Sequence, residues 1–197
     1  MAADAYAATA LAMRKRGSGK SPGSAGRSAQ SPLLQLAAGM RFILAGTLAM
    51  VLAASPAPAA SNRVRITKLT DAAFGSIANL GVNATRAQNL CLYSDTNTGG
   101  YHITAVGTGP GGAFRLTSGG NTLAFDVQWN SSTGQSSGTQ LTPNVPLTGL
   151  ISSATQQSCN SGPPTSASLI ILLQSSALSS ATAGTYSGTL TLIAGPE

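Results

Sequence analysis

Residues Thr122–Trp129 read TLAFDVQW. At period two, Leu123, Phe125, Val127 and Trp129 share one face while Ala124, Asp126 and Gln128 share the other. That pattern marks a strand with one face on a core and one face in water. The same alternation recurs outward in both directions, predicting further strands at Arg63–Leu69, Gln88–Ser94, Tyr101–Gly107, Ala113–Thr117, Val145–Thr148, Ser168–Gln174 and Tyr186–Ile193. No stretch of twelve or more residues carries a helical apolar stripe.

Between these runs lie turn and loop residues. Gly109-Pro110-Gly111-Gly112 places Pro second and Gly third in a turn, where the third position needs a positive φ. Ser94–Gly100 (SDTNTGG) and Ser131–Gly138 (SSTGQSSG) read as loops. The expected fold is therefore all-β, an antiparallel immunoglobulin-like β-sandwich, with a closed barrel as the alternative.

The net charge of +6 suggests a nucleic-acid or anionic-membrane partner until the charges are located. Arg14, Lys15, Arg16, Lys20, Arg27 and Arg41 all precede residue 61, with Asp4 as the only acid there. Later, Arg63, Arg65, Lys68, Arg86 and Arg115 face Asp71, Asp95, Asp126 and Glu197, a balance of +1. Neither the charge nor the aromatics of the later region suit nucleic-acid binding.

Met40–Ala60 (MRFILAGTLAMVLAASPAPAA) has one Arg, an apolar run from Phe42 to Ala54 and a small-residue tail containing Ala57-Pro58-Ala59. That run of 13 residues falls short of the roughly 20 that span a bilayer. Residues 40–60 thus read as a signal peptide, with Met40 as the initiator and residues 1–39 as a disordered basic extension. The expected products are a secreted domain over residues 61–197 and no membrane span in the mature form. Cys91 and Cys159 are the only cysteines, and an even pair in an exported chain reads as one disulfide, two free thiols being the alternative.

Chemistry-bearing groups are sparse. His102 is the only histidine and lies out of phase with Tyr101, Ile103 and Ala105, which points it to solvent or to a cross-strand hydrogen bond. No GxSxG elbow occurs. Asp95–Gly100 has oxygen-bearing residues at alternate positions, but Val106 stands where a calcium loop needs a bidentate Glu. Gly107–Gly112 lacks the Lys-Ser/Thr of a phosphate loop. Trp129 is in phase with core residues, so packing accounts for it before sugar stacking does. The expectation is no enzymatic activity, no cofactor and no metal.

Ala72–Ile77 (AAFGSI), Asn89–Ser94 (NLCLYS), Leu123–Trp129 (LAFDVQW) and Ala183–Leu192 (AGTYSGTLTL) together resemble the spore coat protein U domain, the pilin-like module of archaic chaperone–usher systems. The resemblance implies a sandwich that lacks its last strand and accepts one in trans, first from a periplasmic chaperone and then from another pilin-like subunit, with an outer-membrane usher as the assembly platform. It implies passage through the periplasm to the cell surface of a Gram-negative bacterium, and a structural role in a pilus-like fibre or coat serving adhesion or biofilm. The alternative is a stand-alone secreted module that binds a glycan or surface ligand.

Tyr186, Leu190 and Leu192 on the last strand, with Val64 and Ile66 near the start of the domain, form the expected strand-complementation interface. The chain departs from the family in lacking its first-strand cysteine and in having only a short segment, SNRVRITKL, before Phe74. That segment serves either as donor or as first strand.

Overall fold

In the computed structural model, which describes the backbone of Tyr6–Lys15 together with residues 62–197, TLAFDVQW folds as two strands. Strand β7 (Asn121–Ala124) pairs with β6 (Arg115–Ser118), whereas β8 (Asp126–Asn130) pairs with β11 (Ala167–Leu173). Phe125 is the corner between them. Its N–H donates to the carbonyl of Phe114 at 3.1 Å, and its ring stacks on Phe114 with centroids 5.7 Å apart. Leu123, Phe125, Val127 and Trp129 are all buried, so the alternation survives the change of sheet although the ladder does not.

The two sheets make the expected all-β sandwich. One sheet runs in the order β10 (Leu147–Ile151), β5 (Gly100–Val106), β12 (Thr185–Pro196), β1 (Tyr6–Lys15) and β3 (Gly75–Ile77), with β6 and β7 attached through β12. The other runs β2 (Val64–Thr67), β4 (Ala84–Ser94), β11, β8 and β9 (Thr139–Gln140). Every pairing is antiparallel except that of β1 with β12. The core is drawn from both inner faces, including Leu90, Leu92, Ile103, Val127, Leu169, Ile171, Leu190 and Leu192.

Several bounds differ from the sequence reading. Strand β4 starts at Ala84 because Ala84–Leu90 finds a complete antiparallel partner in Ala167–Leu173, and that ladder overrides the weak strand propensity of ATRA. The predicted Val145–Thr148 strand lies instead at Leu147–Ile151, where it pairs with β5. Strands β3 and β9 and the short helix α1 (Ser175–Ser180) carry no periodic signal long enough to detect.

Local chemistry fixes the corners. Gly111 has φ of 63°, and the N–H of Gly112 closes the turn onto the carbonyl of Gly109 at 3.0 Å. Tyr186 donates its hydroxyl to the carbonyl of Thr182 at 2.8 Å, the tyrosine corner of immunoglobulin-like sandwiches. Cys91 of β4 is disulfide-bonded to Cys159 in the crossover from β10 to β11, with Cα atoms 5.9 Å apart. The signal peptide read at residues 40–60 lies outside the described residues. Of the basic extension at residues 1–39, only Tyr6–Lys15 is described, and it is a strand. Among the described residues no helix is long and apolar enough to cross a membrane.

Candidate functional site

Strand β12 has two edges with different histories. On one, Thr191–Pro196 pairs with β5 and Ser187 pairs with Thr117 of β6, both contiguous parts of the domain. The approach of β6 depends on Gly188, where a Cβ would lie 2.8 Å from the carbonyl oxygen of Arg115. On the other edge, Thr185–Leu192 pairs with β1, which comes from far upstream in the chain.

Strand β1 completes the margin. It runs parallel to β12, setting Leu11 opposite Gly188, Met13 opposite Leu190 and Lys15 opposite Leu192, with a register shift between Ala8 and Leu11. Its other edge pairs antiparallel with β3, Tyr6 opposite Ile77 and Ala8 opposite Gly75. Strands β12 and β3 therefore do not pair with each other. They flank a groove one strand wide, about 9–10 Å between their axes at ordinary sheet spacing. Without an occupant the groove would present unpaired N–H and C=O groups along both walls.

The structure places the residues expected at this interface in two different sheets. Tyr186, Leu190 and Leu192 are buried on the core face of β12. Val64 and Ile66 belong to β2, where they pair with Ser94 and Leu92 of β4, so SNRVRITKL supplies the first strand and not the donor. Strand β2 packs against β12 across the sandwich, where Ile66 is part of the core and half-buried Val64 packs against it. Sequence reasoning missed β1, because Tyr6–Lys15 (YAATALAMRK) is Ala-rich and gives no period-two signal.

Among the described residues, the walls of the groove carry no cluster of reactive side chains. His102 lies on the other side of β12, on the outer face of β5, with Nδ1 4.0 Å from Glu197 Oε1 and its ring against Gly195. The N–H of Arg63 donates to the carboxylate of Asp95, while Ser94 and Thr96 hydroxyls donate to the carbonyl of Gly100 at 2.8 and 3.1 Å. The Asp95–Gly100 oxygens thus serve a turn. Among the described residues, no group of three or more His, Cys, Asp or Glu could hold a metal. What the margin can do chemically is hydrogen-bond a backbone and seat side chains over an apolar floor.

No protein-family model matches the chain, and no curated protein matches it. Among solved structures, it is similar to a chain from "Chaperone-tip adhesin complex is vital for synergistic activation of CFA/I fimbriae biogenesis", with a TM-score of 0.38 and 13% identity over 69% of this chain and 42% of that one. The present chain spans less than half the length of that solved chain.

Proposed function

We propose that the chain is a structural, non-enzymatic subunit of a bacterial surface fibre or coat, assembled by β-strand complementation. The observation that carries this reading is the one-strand groove between β12 and β3, filled by a segment lying upstream of the predicted export signal. Cleavage within residues 40–60 separates Tyr6–Lys15 from the domain, and initiation at Met40 omits it altogether. In either case the exported domain needs another strand in the place of β1.

A periplasmic chaperone and then a second pilin-like subunit would supply that strand, with an outer-membrane usher as the assembly platform, as the resemblance to spore coat protein U domains implies. The cell-surface destination in a Gram-negative bacterium rests on the same resemblance and on the signal peptide. A donor seating two or three aliphatic side chains gains about 1.5–3 kcal/mol for each, and the ladder adds about 0.5–1.5 kcal/mol per hydrogen bond. Such a contact is durable without any covalent step.

The test is expression of the chain from Met40 in a Gram-negative periplasm, alone and together with a periplasmic pilus chaperone. Expected are aggregation or polymerisation alone and a soluble one-to-one complex with the chaperone. A stable monomer whose Thr185–Leu192 amides resist hydrogen exchange without a partner would overturn the reading.

A further inference from the structure

At the opposite lateral margin, β9 of one sheet and β10 of the other are both edge strands, and a cleft of about 420 Å³ opens between them. It is lined by Trp129, Asn130, Ser131, Ser137, Thr139 and Leu150. We propose that this cleft is a binding site for a neutral polyhydroxylated ligand, one or two sugar rings of a glycan. Its volume lies within the roughly 300–1,000 Å³ of small-molecule clefts. The proposal stands independently of strand complementation.

Three observations carry it. First, the lining holds hydroxyls, an amide and one aliphatic side chain, and no ionisable group. A charged ligand would be stripped of water there with nothing to pair it. A sugar presents hydroxyls that donate and accept, together with apolar C–H patches that suit Leu150.

Second, a buried relay ends in the cleft. Trp129 Nε1 donates to the hydroxyl of Tyr101 at 3.0 Å, and that hydroxyl lies 3.0 Å from Ser131 Oγ. Either hydroxyl of the Tyr101–Ser131 pair can be the donor, so Ser131 at the end of the relay can present a donor or an acceptor to a ligand. The hydroxyls of Ser137 and Thr139 have no partner among the described residues and are exposed.

Third, the Ser131–Gly138 loop, which contributes Ser131, Ser137 and Gly138 to the cleft, is held by side chains from outside it. Ser168, buried in β11, accepts from the N–H of Gln135 at 3.0 Å, and its hydroxyl approaches Ser132 O at 2.8 Å and Asn89 Oδ1 at 2.9 Å. Gly134 N–H donates to Asn89 Oδ1 at 2.8 Å and Gly138 N–H to Gln128 Oε1 at 3.0 Å. Asn130 closes the mouth by donating to the carbonyl of Ser137 at 3.1 Å. A wall fixed before binding loses little conformational freedom when the ligand arrives.

Trp129 is the only tryptophan in the chain and lines this cleft, so the chain's own tryptophan fluorescence is a probe of it. The experiment titrates the exported protein, in whatever complemented state it is purified, with the methyl glycosides of glucose, galactose and mannose. Ligand-observed saturation-transfer NMR provides the second readout.

Expected is a saturable change with at least one glycoside, with a Kd of about millimolar or tighter, weakened at least tenfold by Thr139→Arg, which fills the mouth from an exposed position. If Thr139→Arg does not fold, the double variant Ser137→Ala and Thr139→Ala, which removes two unpartnered hydroxyls, is expected to weaken binding at least threefold. No saturation by any of the three sugars, or saturation unchanged in the folded variant, would overturn the proposal.

Discussion

The β12–β3 margin and the β9–β10 margin end the same sandwich by different means. The first is closed by backbone: β1 fills the space between two strands that do not otherwise meet, and its ladders run along both of its edges. The second is left unclosed as a ladder, and side chains hold its shape, from the Trp129–Tyr101–Ser131 relay to the bonds that pin Ser131–Gly138 over Ser168. A backbone closure accepts any strand that presents suitable side chains at alternate positions, whereas a side-chain closure is specific to the residues that make it. The difference teaches that one sandwich can finish one margin with main-chain ladders and the other with a shaped side-chain cleft.

The comparison breaks most completely if the first margin needs no occupant. Expression from Met40 without any donor is expected to yield no stable monomer by size-exclusion chromatography. Leu190→Ala, at a fully buried position opposite β1, is expected to cost up to about 5 kcal/mol in denaturant unfolding of the complemented protein and to weaken complementation with it. Cys159→Ser cuts a link outside both margins and closing a long loop, and is expected to cost about 4 kcal/mol by thermal unfolding while leaving donor preference unchanged.

At the second margin, Tyr101→Phe leaves the buried Trp129 N–H without an acceptor and is expected to cost about 1–3 kcal/mol. Burial raises the pKa of Tyr101 above its ordinary value, a shift its bonds to Ser131 and Trp129 partly oppose. Because the folded value is raised, stability is fully present below the unfolded pKa of about 10 and is lost as pH rises through the folded value, and Tyr101→Phe flattens that fall in alkaline denaturation. Ile151→Thr, at an exposed site on β10, is expected to change stability by no more than about 0.5 kcal/mol.

What was legible in the sequence follows from what each segment answers to. The period-two runs at Tyr101–Ala105 and Leu123–Trp129 and the core face of the last strand, Tyr186, Leu190 and Leu192, answer to a water-facing side and a core-facing side, and both sides are written in the residues. The cysteine pair was legible because only one pairing existed. The change of sheet at Phe125 was not, since both sheets bury the same face of that run. Strand β1 was not, because YAATALAMRK takes its place through backbone pairing with β12 and β3, which leaves little mark on composition. SSTGQSSG read as a loop, but its role as a fixed wall depends on Asn89 and Ser168, which are distant in sequence.

Lys68, just past β2 and with φ of 61°, sends its ammonium to the carbonyls of Cys159 at 3.0 Å and Pro164 at 2.7 Å. Ser152 and Ser166, near the two ends of the same crossover, both donate to the carbonyl of Leu92 at 2.6 and 2.8 Å. Reducing the cystine therefore releases a covalent tie without freeing the segment, because three polar anchors keep the two sulfurs as neighbours. Reoxidation becomes a local event, fast and independent of dilution, and alkylating reagents meet shielded thiols unless the whole domain opens.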